Sequence, residues 1–409
     1  MRLPVVHRTI LWRLLGCLVV AAVVAWLSFS HSMAMISRNR APDRALMFVH
    51  NEPLALAARA DRLLTKPELD SKSLSTARAL ALQSLHRQAV NTRALRVLGL
   101  IADREKDDQR ALALMELAQR LSRREVGVQL WLVQRAAKDG NLPNAIQAFD
   151  RALRTSINAR PMLFPILLEA IRAPEIREAV APYIKDGNLW SYDFVNYAID
   201  NSKDLLPIAD VIRRAGGLPP GRDEDAAIAT LGAKLVEANQ VNNLFAIMGR
   251  DAQVLRAQTD ASLNYTLDSR FAPLGWGLLS QTSVGASAIR EGDRTVMLAT
   301  VLAGRHGVAA RKPLMLKSGS YTLTVGYGDI RLGSQATLNW QLVCTAGDGT
   351  FHIAWNSGQY RPASQSRSAW TIKVLETCRA QLLDLQLSGG DSQGESEVFI
   401  QDVSLRRFN

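Results

Sequence analysis

The chain has 409 residues, 47% hydrophobic and 21% charged, a balance that excludes both a disordered chain and a polytopic membrane protein and leaves room for two or three domains. Its net charge of +11 admits an anionic partner. The excess is Arg scattered along helical stretches (Arg104, Arg110, Arg120, Arg151, Arg154), which reads as a solvated face beside a membrane. With no aromatic-interleaved basic strip and no zinc-finger spacing, no nucleic-acid partner is expected.

Arg2, Arg8 and Arg13 precede an apolar run from Leu14 to Phe29. At about 1.5 Å per residue its sixteen residues reach ~24 Å, slightly short of a hydrocarbon core, and Ser30 to Ile36 extend it. Trp12 and Trp26 suit the two interfaces. A single-pass anchor is expected over 14–36, with a short cytoplasmic start and the bulk outside, in the bacterial inner membrane and facing the periplasm. A cleaved signal peptide is the alternative, with Ser32 to Ala34 as a small-x-small site. Leu14-Leu15-Gly16-Cys17 is no lipobox, because the apolar stretch follows Cys17.

From residue 53 to 158 the chain repeats at 34 residues. Leu64, Leu98 and Leu132 share one offset, Ala77, Ala111 and Ala145 a second, and Ser84, Ala118 and Ala152 a third. One unit reads Leu95-x-x-Leu98-Gly99-x-x-Ala102, then Ala111, Met115 and Ala118. The next reads Leu132-Val133-x-x-Ala136, then Ala145, Phe149 and Ala152. In this period and this order of small and large residues the stretch resembles the tetratricopeptide repeat family. The resemblance implies antiparallel helix pairs stacked in a superhelix, with Leu98, Gly99, Ala111, Ala118, Leu132, Ala145, Phe149 and Ala152 as packing residues and a groove for a protein partner. The family's aromatic positions are mostly Leu or Ala here, and Pro67 marks extra residues in the first unit. Turns are expected at Asp107-Asp108 and Asp139-Gly140-Asn141. Helical patterns persist over 159–258, at Pro161 to Arg172, Pro174 to Lys185, Ser191 to Asn201, Asp204 to Arg214 and Asp223 to Asn239, with Pro165 and Pro207 near helix starts.

From about Thr259 the period changes to two. Strands are expected around Trp276 to Ser280, Thr295 to Leu302, Tyr321 to Tyr327, Leu338 to Cys344, Phe351 to Trp355, Trp370 to Val374, Leu383 to Leu387 and Val398 to Leu405. Gly347-Asp348-Gly349 and Ser388 to Asp391 are turn clusters between them. Phe271-x-x-Leu274-Gly275-Trp276, Gly319-Ser320-Tyr321-x-Leu323-x-Val325 and Ile400-x-Asp402-Val403-x-Leu405 resemble carbohydrate-binding modules of the galactose-binding-like type. That resemblance implies a jelly roll over 259–409, and sugar binding is common in it without being guaranteed.

Cys344 ends one expected strand and Cys378 follows another, so they read as a disulfide, with two buried free thiols as the alternative. His86 and His352 stand alone, and no metal-ligand spacing, nucleophile elbow or phosphate loop is present. No metal, cofactor or catalytic role is therefore expected. Strand parity puts Tyr321, Trp340, Trp355 and Trp370 in the core, leaving Trp276, Tyr360 and its neighbour Arg361 as candidate ligand contacts. The expected organisation is an anchor over 1–36, a linker over 37–52, repeats over 53–158, degenerate helical repeats over 159–258 and an antiparallel β-sandwich over 259–409. The expected role is a non-catalytic adaptor joining a protein partner to an envelope polysaccharide. A purely protein-binding scaffold and a glycan-active accessory enzyme are the alternatives.

Overall fold

A computed structural model describes residues 5–65, 70–219, 221–248, 252–280, 282–346, 349–391 and 394–408. Arg2, Pro67 and the Gly347-Asp348 turn lie outside the described residues. The chain divides into two compact units, Met1–Pro161 and Met162–Asn409.

The first unit opens with α1 (Val5–Ser37). Its stretch Leu14–Ser37, mean hydropathy 2.0, is long and apolar enough to cross a membrane. Leu14, Leu18, Val24, Leu27 and Phe29 are all more than half exposed, whereas Ser30, Ala34 and Ser37 are buried. Those three positions recur at helical spacing, so one stripe of the last two turns faces protein. Ala34 is fully buried with Ala45, Leu46, Ala55 and Leu56. The stretch 37–52, expected as a linker, accordingly holds a helix of its own, α2 (Pro42–Phe48), whose Pro42, Ala45 and Leu46 are buried.

Three helix pairs follow: α3 (Pro53–Leu64) with α4 (Ser71–Arg87), α5 (Thr92–Arg104) with α6 (Asp108–Leu121), and α7 (Val126–Lys138) with α8 (Leu142–Thr155). Side chains of Asp70, Asn91, Asp107 and Asn141 cap α4, α5, α6 and α8, each accepting from a backbone N–H three residues on. These caps satisfy first-turn donors that otherwise have no partner, and they place the helix starts where the sequence turns from polar to periodic. Ala111 and Ala118 are fully buried, as are Ala77 and Met115, and Ala145, Phe149 and Ala152 nearly so. At Gly99 an added Cβ would sit 3.0 Å from Cε of Met115, so glycine sets the α5–α6 approach. Leu132 is only half-buried and lines a groove.

The helix α9 (Arg160–Ala170) starts at the end of the first unit, and the second continues with α10 (Pro174–Lys185), α11 (Ser191–Asn201), α12 (Leu206–Ala215), α13 (Arg222–Glu237), α14 (Val241–Ile247) and α15 (Ala252–Ala257). Pro207 occupies the first turn of α12, but Pro165 lies inside α9, because a 3-10 turn at Ile157–Ala159 starts that helix early.

Among the described residues ten antiparallel strands follow: β1 (Gly277–Leu278), β2 (Val284–Glu291), β3 (Arg294–Leu302), β4 (His306–Leu314), β5 (Gly319–Arg331), β6 (Thr337–Thr345), β7 (Phe351–Asn356), β8 (Arg367–Val374), β9 (Ala380–Ser388) and β10 (Glu395–Arg407). They form two five-stranded sheets, β1-β4-β9-β6-β7 and β2-β3-β10-β5-β8. Among the described strands β2–β3 and β6–β7 are consecutive neighbours within one sheet, and the other consecutive strands lie in different sheets, in jelly-roll fashion. The last two strands sit at the centre of the two sheets.

Alternation drives this packing. Leu338, Trp340, Leu342 and Cys344 on β6 and Leu383, Leu385 and Leu387 on β9 point inward and are almost completely buried, meeting Leu323, Val325 and Tyr327 from β5. Cys344 and Cys378 form a disulfide with Cα atoms 5.3 Å apart.

Candidate functional site

The opposite face of the first sheet carries the polar residues of the same alternation. Pairing registers place them in rows across the strands. One row runs Asn356, Gln341, Asp384 and Arg311, from β7 to β4, and the next places Asn339 beside Gln386 and Val308. A third sets Thr337 beside Ser388 and His306. Asn339 Nδ2 donates to Gln386 Oε1 at 3.4 Å, and Gln386 Nε2 donates to Gln341 Oε1 at 2.9 Å. Asn339 Oδ1 accepts from the Ser357 hydroxyl at 3.2 Å. This ladder fixes the amide orientations and leaves each amide further hydrogen-bonding capacity towards solvent. The three amides are half-buried, and His306, Asn339, Gln359 and Gln386 line a groove of about 330 Å³.

Val308 also lines a second groove of about 630 Å³, whose walls are α13 (Val236, Glu237) and the strands β1 and β4. Arg311 anchors this side. It makes two hydrogen bonds of 2.8 Å to the buried Asp384 carboxylate and reaches Asn239 Oδ1 at 3.4 Å. Burial pushes the Asp384 carboxyl upwards, and the Arg311 guanidinium pulls it back. Asn242 Nδ2 donates to Thr345 O at 3.3 Å, so the end of the sheet nearest α14 is covered while the amide end stays open. At the β7 edge Phe351 and Ile353, paired with Thr345 and Val343, are more than half exposed on the same face as the ladder.

The sequence candidates take other positions. Trp276 is a correction: it is 3% exposed, donates from Nε1 to Ala261 O at 3.0 Å and stacks edge-on against Trp340. The glycine beside it signals a tight backbone approach. An added Cβ at Gly275 would sit 2.8 Å from Tyr265 O, and that approach buries the indole. Tyr360 is half-buried, its hydroxyl bonded to that of Tyr327 and its ring 5.1 Å from Trp370. Burial pushes both phenols up, Tyr327 to about 12. Arg361 donates to Gly333 O and Ala336 O at 2.7 Å and to Leu332 O at 3.3 Å, so its guanidinium ties down the β5–β6 loop. Trp276 thus belongs to the core, whereas Tyr360 is half-buried and Arg361 exposed, next in sequence to Gln359, which lines the polar groove.

One charged side chain of β4, Lys312, enters the core. Directed inward from β4, its ammonium is fully buried, donating to Ala257 O and Leu274 O and lying 5.7 Å from the Tyr265 ring centre. Burial brings it down to about 7, with Asp260 acting in the opposite direction.

In the first unit a groove of about 410 Å³ is lined by Leu112, Glu116, Leu132, Arg135, Asn144 and Arg151, among others. Arg135 is neutralised by Asp108 and Asp139, both at 2.9 Å. Among the described residues no group of three or more His, Cys, Asp or Glu is gathered to hold a metal ion.

No protein-family model matches the chain, and no curated protein matches it. Solved structures of carbohydrate-binding modules are similar to its sandwich. One module from the β-sandwich superfamily is 13% identical, covering 32% of this chain and 57% of its own, with a TM-score of 0.24. A CBM4 module is 9% identical over 38% of this chain and 99% of its own, with a TM-score of 0.25. A module solved for specific mannan recognition is 13% identical over 36% of this chain and 96% of its own, with a TM-score of 0.22.

Proposed function

We propose that this protein is a non-catalytic, membrane-anchored adaptor that binds a polysaccharide on the amide-bearing face of its sandwich and a protein partner in the groove of its helix-pair array. The amide ladder Asn339–Gln386–Gln341 carries the reading of the sandwich. A sugar presents neighbouring hydroxyls that each donate and accept, and a side-chain amide both donates and accepts in one plane. Amides already locked to one another lose little freedom when a sugar binds, which favours affinity. Phe351 and Ile353 supply an apolar edge to the same face, suited to the C–H face of a pyranose ring.

The helical array, read as tetratricopeptide-like, presents its mixed-charge groove to an extended or helical peptide. The apolar helix keeps both binding units at the periplasmic surface of the inner membrane. The burial of Ala34 supports retention of that helix, because cleavage near Ser32 to Ala34 would remove a fully buried residue from the α1–α2–α3 packing.

The test is a glycan array probed with the full chain held in a detergent that has no sugar head group. Saturable binding to a subset of polysaccharides supports the reading. Binding to none, by protein with its native melting transition, refutes it and leaves a scaffold that binds proteins alone.

A further inference from the structure

We infer that α2 is an interfacial helix, seating Met47 and Phe48 at the acyl–head-group boundary and Arg40 and Arg44 against anionic lipid head groups, so that the membrane is a docking surface for the array as well as the seat of its anchor. This rests on the reading of α1 as a membrane span.

The depth follows from helix geometry. If Arg13, the last charge before the apolar run, marks one edge of the hydrocarbon, a core of ~30 Å takes about 20 residues at ~1.5 Å each and ends near Met33. Phe29 then lies about one helical turn, ~6 Å, inside the outer boundary. Its ring meets the Phe48 ring edge-on, with centroids 6.0 Å apart, and also touches Trp26 at 6.1 Å. A side chain of α2 is therefore in contact with a residue below the membrane surface.

The exposed residues agree with that placement. Met47 is 77% exposed, although α2 buries Ala45 and Leu46 beside it. Past Phe29, α1 buries Ser30, Ala34 and Ser37 against protein while Met35 and Ile36 stay exposed, Ile36 at 75%. In water these would be unpartnered apolar surface. At a bilayer boundary they continue the apolar surface of the anchor. Arg40 and Arg44 are exposed and have no acidic partner among the described residues, whereas nearby Arg38 and Arg59 pair with Glu52 and Asp43. Unpaired Arg within a Debye length of an anionic surface adds attraction there.

The experiment uses the full chain carrying Cys17→Ser, reconstituted in nanodiscs of phosphatidylcholine and phosphatidylglycerol. A nitroxide is placed through Val24→Cys, Met47→Cys or Ile157→Cys in turn, and its collisions with oxygen and with a water-soluble nickel chelate are measured. The expected oxygen-to-nickel ratio is high at 24, several-fold above that of 157 at position 47, and low at 157. A low ratio at 24 would show that α1 does not span, which overturns the anchor reading itself. A high ratio at 24 with position 47 equal to 157 would overturn the inference while leaving the anchor intact. Arg40→Gln with Arg44→Gln is expected to lower the ratio at 47 several-fold, and an unchanged ratio would remove the head-group contact from the proposal.

Discussion

Replacing Cys344 and Cys378 together with Ala removes a cross-link between residues 34 apart in sequence. In the folded chain the bond joins the end of β6 to the loop before β9, strands that already pair at Cys344 with Gln381 and Thr345 with Ala380. The folded state thus changes little, and the effect falls on the unfolded chain, which regains the entropy of an open loop. For a loop of this length the loss is ~4 kcal/mol. Both half-cystines are almost fully buried, and Ala leaves only small cavities, so the loop term dominates. For a unit of this size ~1 kcal/mol moves the melting temperature by about 2–4 °C, so the second unit should melt ~8–15 °C lower. The assay is scanning calorimetry of the full chain, with Cys17→Ser in both samples to remove the third thiol. A fall of less than ~2 °C would refute the entropic argument. Free thiols at both positions in protein recovered from the envelope would refute the bond and weaken the periplasmic assignment.

Ala118→Leu and Ala152→Leu should each cost ~1–3 kcal/mol by overpacking the helix crossings, while Arg120→Ala on the exposed face should change chemical denaturation midpoints little. Equal tolerance at all three positions would contradict the 34-residue register. Lys312 gives a pH signature. Below about pH 7 its ammonium is charged in both folded and unfolded chains, and its burial cost is fully present. Between about 7 and the ordinary value of 10.5 only the unfolded chain holds the proton, so stability rises with pH by up to ~1.4 kcal/mol per unit. Lys312→Met should abolish that rise in pH-dependent unfolding, and a slope unchanged by the substitution would show that another group titrates.

The parts of the fold legible in the sequence are those where periodicity is strong. The helix pairs follow from the 34-residue repeat and from the turn residues Asp107-Asp108 and Asp139-Gly140-Asn141. β5, β6 and β9 follow from uninterrupted alternation. The strands β2 and β4 escaped for specific reasons. β2 is built of small and polar residues at a sheet edge, and β4 carries a bulge between Val308 and Ala310 and an inward-pointing Lys312. The short helices α14 and α15 offer too few turns for a period to show. The disulfide was legible because two Cys flank marked strands.

The polar face was half legible. Parity placed Asn339 and Gln341 opposite Trp340 and Leu342, but alternation alone does not distinguish a solvated face from a groove. What builds the groove is the pairing of β9 with both β6 and β4 and the placement of Gln359 beside them, neither of which is local in sequence. Trp276 misled because flanking glycines suggest an open loop, whereas Gly275 is there to let the backbone approach Tyr265.

The most direct test of the account is a calorimetric titration of the full chain in nanodiscs with the strongest-binding polysaccharide fragment from the array, alongside the Gln341→Ala, Gln386→Ala double variant. Each lost hydrogen bond to the sugar is worth ~1 kcal/mol, so saturable binding is expected to weaken about tenfold or more in the variant, while loss of the two ladder bonds lowers its melting temperature by only a few degrees and leaves it folded at the titration temperature. Equal affinity in the two proteins would contradict it, because the sugar would then be held somewhere other than the amide ladder.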